Sequence, residues 1–292
     1  PWGALSGLGA TALWALAAFL LVEPYALLDA ARFLGDAAFE AGMASGAADV
    51  PYARQYVGTA PYVYPLEQLL VWWVGPPMGV AAFAGSGAAV VVAVRRALRG
   101  GPCGPRALPL VWLLTYLGVT GGLHAKFGRY LLPIVPCLCL YAAWALAALV
   151  RSGTARGRVA RGAAVAVLAG VVVGSAAYAL AYMNVYRERH PWLRATGWIC
   201  AHVPPGSTLL VEHWDDALPM AQVREGSFCF LDYHHEWLPL YDDDTPAKAE
   251  GLARALERGD YIVIASHRLY GSIGRLRERY PVTRRYYELL FS

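Results

Sequence analysis

HAKFGRYLLP, residues 124–133, places two cations, Lys126 and Arg129, between two long apolar runs. A short cationic connector at a membrane face either anchors the topology of the neighbouring helices or binds an anionic headgroup. The apolar runs on either side indicate that this connector joins two membrane spans. The rest of the chain decides which of the two roles it has.

The composition indicates a membrane protein. Of the 292 residues, 57% are hydrophobic and only 16% are charged, which is too apolar for an ordinary soluble domain. Five runs lack Asp, Glu, Lys and Arg, and each is long enough, since a helix needs about 17 to 25 residues to cross the hydrocarbon layer. They are Pro1–Val22, Gln68–Val94, Ala107–Leu123, Leu131–Val150 and Gly162–Tyr186. We therefore predict a polytopic α-helical membrane protein with about five spans.

Arginine is concentrated in two connectors that lie two spans apart and hence on the same side of the membrane. This excess predicts a cytoplasmic side. The arginines are Arg95, Arg96, Arg99 and Arg106 in one connector, and Arg151, Arg156, Arg158 and Arg161 in the other. We predict a multi-pass protein of the plasma (inner) membrane, with a transmembrane domain at 1–186 that includes an outer loop at 23–67. Residues 187–292 then form a small extracytoplasmic α/β domain.

The pattern after residue 186 alternates between helix and strand, which favours a largely parallel sheet. The predicted helices are 192–203, 246–258 and 272–280, and the predicted strands are 208–212, 228–231, 261–265 and 282–290.

In the outer loop, the spacing of apolar residues predicts an amphipathic helix over 23–33, and the glycine-rich stretch 42–46 is expected to break it. A short helix over 65–74 precedes the second span, because Gly75-Pro76-Pro77 interrupts that run. The loop also contains several tyrosines, including Tyr62 and Tyr64. Their apolar rings and polar tips suit either the headgroup layer or a sugar-binding face.

Acidic and imidazole side chains cluster at 212–216, 232–236 and 242–244. Such groups can bind a divalent cation or a sugar, and turn capping explains them equally well. The first cluster follows a predicted strand, so we take His213, Trp214, Asp215 and Asp216, with Tyr62 and Tyr64, as candidates for acceptor or sugar binding. We predict no metal site and no cofactor, since the chain has no dinucleotide fingerprint, Walker loop, nucleophile elbow or zinc-protease motif.

Three further features limit the interpretation. The net charge of +4 is not organised into basic patches interleaved with aromatic residues, which excludes nucleic acid as a partner. A bridge between Cys200 and Cys229 is one alternative for the polar tail, but simple buried thiols are favoured. Because the chain begins inside an apolar run at Pro1, we expect it to be the C-terminal part of a longer protein.

Four segments together resemble bacterial family 39 glycosyltransferases, which are polytopic GT-C enzymes related to protein O-mannosyltransferases and to the aminoarabinose transferase of lipid A. They are EPYALLD (23–29), TAPYVYPLE (59–67), KFGRYLLP (126–133) and EHWDDALP (212–219). The resemblance runs over most of the chain, and the segments occur in the expected order.

The resemblance implies transfer of a sugar from a polyprenyl-phosphate carrier to an unidentified acceptor on the outer face of the membrane. Lys126 and Arg129, with Tyr130 beside them, are then candidates for binding the lipid phosphate. The family's acidic catalytic residue lies in its first external loop, and no segment here matches that loop. The catalytic base therefore stays unknown, and this segment alone is expected to be inactive.

Two other functions remain open. A lipid or sugar transporter would carry ionisable residues in its spans, and the five predicted spans have none. A non-catalytic, membrane-anchored protein would bind a glycan through its outer α/β domain.

Overall fold

The computed structural model describes residues 2–102, 104–105, 107–212, 216–221 and 229–292, with side chains from residue 6 onward except that of residue 8. Helices make up most of this part of the chain. They are α1 (Trp2–Val22), α2 (Tyr25–Leu28), α3 (Ala30–Ser45), α4 (Val63–Gln68), α5 (Pro76–Leu98), α6 (Ala107–Thr120), α7 (Val135–Arg156), α8 (Arg158–Met183), α9 (Pro191–His202), α10 (Pro246–Arg258), α11 (Arg268–Ile273) and α12 (Pro281–Leu290). The strands are β1 (Thr208–Glu212), β2 (His234–Leu238) and β3 (Tyr261–Val263).

Within the described residues, three helical segments are long and apolar enough to cross a membrane. They are Pro76–Leu98, Gly128–Arg156 and Arg158–His202. Gly9–Val22 is the continuous part of α1 whose side chains are described, and α1 itself has 21 residues, whereas the apolar helix Ala107–Thr120 has 14. These segments and the composition indicate a helical membrane protein. Three of the five expected spans are confirmed as candidates among the described residues, and the count of five is not confirmed.

Close packing of α5 on α7 depends on Gly85. A Cβ at this position would overlap the backbone carbonyl of Tyr141, so only glycine permits the approach. Tyr141 is itself almost fully buried, at 1% exposure. The buried residues around this contact are Leu69, Ala82, Ala89, Leu110, Leu113, Leu131, Ile134, Leu138 and Ala142.

The chain divides into two compact units. One consists of residues 1–53 and 123–125, and the other of residues 54–122 and 126–292. The second unit therefore includes the sheet and the three helical segments that are long enough to cross a membrane. The predicted domain boundary between residues 186 and 187 stays a prediction.

In the first unit, two helices replace the single amphipathic helix expected over 23–33. Asp29 separates α2 from α3, and its carboxylate accepts a hydrogen bond from the backbone N–H of Arg32 at 3.3 Å. This is an N-cap, which satisfies one of the unpaired amides at the start of α3. Helix α3 then continues to Ser45, so the break expected within 42–46 comes only at the end of that stretch.

The sheet has the order β2-β1-β3, and β1 pairs with both neighbours in parallel. Leu209, Leu210 and Val211 of the central strand are buried, because helices cover a parallel sheet on its faces. The predicted strand at 208–212 and the parallel sheet are both confirmed.

The segment before β2 differs from the prediction. Cys200 of α9 and Cys229 form a disulfide with their Cα atoms 5.7 Å apart, so the favoured expectation of simple thiols is wrong. Because Cys229 is tied to α9, the chain turns at Phe230–Asp232 before it reaches the sheet. The strand expected at 228–231 is therefore wrong in its described part. The helix expected at 272–280 also lies earlier, as α11.

The strand expected at 282–290 is wrong, because this segment forms α12. Thr283, Tyr286 and Tyr287 recur at helical spacing and are all buried against the α/β core. Continuous apolar and aromatic runs do not distinguish a strand from a buried helix by themselves. Packing of this face decided between them.

A buried ion pair at the start of α10 hydrogen-bonds to the first turn of α12. Lys248 and Asp244 lie 2.7 Å apart, with their side chains only 4% and 5% exposed. Three other groups lie within hydrogen-bond distance of the Lys248 ammonium: the carbonyls of Leu240 (3.2 Å) and Asp242 (2.6 Å) and the hydroxyl of Thr283 (2.7 Å). The acidic run at 242–244 thus has a structural role here.

Replacement of Lys248 by Met should destabilise the protein by about 3–5 kcal/mol, because it leaves the buried Asp244 carboxylate without its cation. Arg254→Met on the same helix is the matched control. Arg254 pairs with Glu250 at 3.7 Å in solvent, and its loss should cost at most about 1 kcal/mol. Thermal unfolding of the detergent-solubilised variants measures both effects, and equal losses would contradict the buried pair.

Stability should also fall in acid through Asp244. Burial alone would raise the pKa of this carboxyl, but hydrogen bonds from Lys248 and from the backbone of Val282 and Thr283 outweigh burial and hold it below its usual range. A depressed folded-state pKa contributes stability above the unfolded value of about 4, and this is lost as pH falls through the folded pKa. Unfolding measured between neutral pH and strong acid should show this loss in the wild type and a smaller one in Asp244→Asn.

Gly85→Ala should destabilise the helix packing by about 1–3 kcal/mol, since the added methyl group overlaps the Tyr141 backbone. Gly87→Ala is the control on the same helix, because a Cβ there meets nothing within 4 Å. The measurement is the melting temperature in detergent. Tolerance of both substitutions would contradict the close contact between α5 and α7.

Candidate functional site

The cationic connector holds Arg129 against two aromatic rings. Its guanidinium carbon lies 4.4 Å from the ring centroid of Phe127 and 5.5 Å from that of Tyr130. Arg129 is exposed, and no carboxylate among the described residues pairs with it. A cation–π contact at an exposed site contributes about 0.5–1 kcal/mol and leaves the edge of the guanidinium available for hydrogen bonds.

Lys126 lies in the same connector but is buried, with 9% of its surface exposed. Burial lowers the pKa of its ammonium group, because removal from water disfavours the charged form. An anion bound close to this ammonium would offset that effect. Of the three predicted phosphate-binding residues, Arg129 and Tyr130 are in contact, and Lys126 lies three residues before Arg129 in the same connector. Their role in phosphate binding stays a prediction.

A row of aromatic rings extends from the connector into the outer loop. The ring centroid of Tyr56 lies 5.2 Å from that of Phe127 and 6.1 Å from that of Tyr64, in edge-to-face geometry. We call Tyr64, Tyr56, Phe127 and Tyr130 the aromatic wall. Burial raises the pKa of Tyr56, while nearby Arg129 acts in the opposite direction. The rings of the wall are packed edge to face, and the Arg129 guanidinium lies over two of them.

Trp73 packs against the backbone of the connector at Gly128. Its indole ring occupies the space where a side chain on Gly128 would lie. Because any Cβ at Gly128 would collide with this ring, the connector can approach Trp73 only with glycine at this position. The contact fixes the backbone between the two cations.

Tyr62 and Tyr64, the two tyrosine candidates, have different surroundings. The hydroxyl of Tyr62 donates to the carbonyl of Gly118 at 3.0 Å, and its N–H donates to the carbonyl of Gly121 at 2.8 Å. Tyr62 therefore satisfies carbonyls at the end of α6, and it does so with a backbone φ of 61°, which is unusual for a residue with a side chain. Tyr64 instead lines a cavity.

Arg54 and Arg275 join the outer loop to the α/β part within the second unit. The Arg54 guanidinium donates to the Tyr241 carbonyl at 2.9 Å and to the hydroxyl of Tyr280. Arg275 donates to the Gln55 carbonyl at 2.6 Å. These hydrogen bonds hold the start of the second unit against the segment that follows β3.

The cavity at this junction has a volume of about 450 Å³. Its walls are polar and carry positive charge. They are formed by Gln55, Tyr64, Ser266, His267, Arg268, Gly271, Ser272 and Arg275. We call this space the cationic cavity. Among the predicted site residues that the structure describes, Tyr64 lines the cavity and Asp216 does not.

The acidic candidates have other positions. His213, Trp214 and Asp215 lie outside the described residues, and Asp216 is exposed. Glu212, just before them, is buried and accepts a hydrogen bond from the hydroxyl of Tyr287. Among the described residues no group of three or more His, Cys, Asp or Glu side chains could hold a metal ion.

Sequence reasoning missed His267, Arg268 and Arg275. A signal for the first two was present, because they closely follow a strand of a parallel sheet, where ligands commonly bind. Arg275 had no comparable signal, since it reaches the cavity through the helix α11 and a contact with the distant Gln55.

Comparison of the chain with protein-family models, with curated proteins and with solved structures finds no match. The side chains and contacts of the chain itself are therefore the basis for any functional assignment.

Proposed function

We propose that this chain belongs to an integral-membrane glycosyltransferase, which transfers a sugar from a polyprenyl-phosphate carrier to an acceptor on the outer face. The observation that carries the proposal is the geometry of the connector. The buried Lys126 and the exposed, ring-stacked Arg129 lie immediately before and within the helical segment Gly128–Arg156, which is long enough to cross a membrane. Such a position suits a phosphate attached to a membrane-embedded chain.

The chemistry needs cations at this place. An acceptor hydroxyl attacks the anomeric carbon of the sugar, the bond from that carbon to the phosphate oxygen breaks, and the lipid phosphate leaves with the electron pair. Negative charge thus develops on the leaving oxygen, where positioned donors stabilise the transition state. Arg129 can donate two parallel hydrogen bonds to phosphate, while Lys126 supplies a compact charge. We assign no base to the acceptor proton.

The proposal includes a topology. Helices α1, α5, α6, α7 and α8 would be the five spans in the plasma (inner) membrane, with the arginine-rich connectors in the cytoplasm. The connector with Lys126 and the α/β part would then face outward. The disulfide between Cys200 and Cys229 supports this orientation, because disulfides persist in oxidising compartments.

The two alternative functions differ in what they do to a sugar-loaded carrier. A transporter moves the carrier or its sugar across the membrane without breaking the bond to phosphate. A glycan-binding protein retains a glycan and releases no polyprenyl phosphate. Release of free polyprenyl phosphate is therefore the outcome that only the transferase produces.

Arg129→Ala should weaken binding of a short-chain polyprenyl phosphate about tenfold to a hundredfold, because a charge-assisted hydrogen bond is lost. Binding is measured on the full-length protein in nanodiscs of neutral lipid. Arg129→Lys should recover only part of the affinity, since lysine keeps the charge but not the paired donors. Arg158→Ala is the matched control, as Arg158 begins the next apolar helix and lies in an arginine-rich connector. Unchanged affinity in Arg129→Ala would overturn the phosphate role.

A further inference from the structure

A helical turn with an unusual hydrogen-bond register continues α4 and precedes α5. The N–H of Val74 donates to the carbonyl of Leu69, five residues earlier, at 3.0 Å, and Leu69–Trp73 form a π-helical turn. Such turns are rare and are frequently found at functional sites. In this register the carbonyl of Val71 would accept from residue 76, which is a proline and has no N–H. A donor for this carbonyl must therefore come from another part of the chain.

Tyr178 of α8 is that donor. Its hydroxyl donates to the Val71 carbonyl at 2.5 Å in a partly buried position. The ring of Tyr178 also packs against Gly75, because a Cβ at Gly75 would lie 2.8 Å from a ring carbon. Gly75 has a φ of 82°, which favours glycine and lets the chain leave the π-helical turn before α5 begins. One side chain of α8 thus holds the end of this turn through both its hydroxyl and its ring.

The π-helical turn ends at Trp73, which contacts the connector. A Cβ added to Gly128 would lie 1.7 Å from the nearest atom of the indole ring, so the ring packs directly on the backbone at this position. Gly128 is next to Arg129 and two residues after Lys126. Because Trp73 is only two residues after Val71 in the same turn, a shift of the Val71 carbonyl also shifts the indole. The contacts form a continuous path from α8 to the two cations.

We propose that Tyr178 is a positioning residue for the cationic connector. Its hydrogen bond to Val71 fixes Trp73, and Trp73 fixes the backbone that carries Arg129. A guanidinium that donates paired hydrogen bonds to phosphate must be held to within about 0.5 Å, since these bonds depend on direction. The ligand of Arg129 rests on the proposed transferase function, whereas the path from Tyr178 to the connector does not.

A purely structural role for Tyr178 is the competing explanation. In that case its hydroxyl only attaches α8 to the segment before α5. Loss of the hydroxyl would then lower the melting temperature and leave the connector of the folded protein unchanged. The two explanations therefore differ in the environment of Trp73 and in the affinity of the connector for its ligand.

The first measurement is independent of any ligand. The full-length protein is labelled with 5-fluorotryptophan in neutral-lipid nanodiscs, and the fluorine NMR resonance of Trp73 is assigned with Trp73→Phe. Tyr178→Phe keeps the ring against Gly75 and removes only the hydroxyl, and it should shift or broaden this resonance. Tyr182→Phe is the matched control, one turn further along α8 and 54% exposed, and should leave the resonance unchanged. A Trp73 resonance that is identical in the wild type and in Tyr178→Phe would contradict the positioning role.

The second measurement is the affinity for a short-chain polyprenyl phosphate in the same nanodiscs. Tyr178→Phe should weaken binding about threefold to tenfold, as expected for the loss of one hydrogen bond. In the Arg129→Ala background it should cause no further loss, because a residue that acts through Arg129 has no effect once Arg129 is absent. Equal losses in both backgrounds would overturn the proposal. If Tyr178→Phe moves the Trp73 resonance but Arg129→Ala leaves the affinity unchanged, the transferase proposal fails and the positioning of the connector stands.

Discussion

The guanidinium of Arg54 joins the outer loop to the α/β part through hydrogen bonds to Tyr241 and Tyr280. Both tyrosines are buried in the α/β part, and the arginine carbon lies 5.9 and 5.8 Å from their ring centroids. A buried backbone carbonyl and hydroxyl need partners, and Arg54 supplies several donors in a fixed plane. This interaction holds the start of the second unit against the segments that follow β2 and β3.

Charge is distributed in this protein according to what each group costs to bury. Lys248 and Asp244 are buried as an ion pair, and the Lys248 ammonium also donates hydrogen bonds to the Leu240 carbonyl and the Thr283 hydroxyl. The pair therefore has a structural role. Arg129 avoids the cost by stacking on rings at the surface. Lys126 is also buried, and burial lowers the pKa of its ammonium group.

Elements that follow from local hydrophobicity and its period were predicted correctly from the sequence. The charge-free runs predicted helices, and the strand at 208–212 and the helix at 246–258 were found with those bounds. Segments that depended on partners were read wrongly. Residues 282–290 became a helix because Thr283, Tyr286 and Tyr287 find one buried face, and the turn before β2 follows from the disulfide at Cys229.

By itself the sequence determined that the chain is a helical membrane protein with a small parallel sheet, because hydrophobicity and its period are local properties. It also singled out the connector, since two cations between apolar runs are visible without a structure. The three-dimensional packing was needed to show that Tyr62 hydrogen-bonds to the end of α6 while Tyr64 lines a cavity, and that Arg275 donates to the carbonyl of Gln55 there. Residues more than 200 positions apart are joined in that cavity by hydrogen bonds and packing, which no local pattern records.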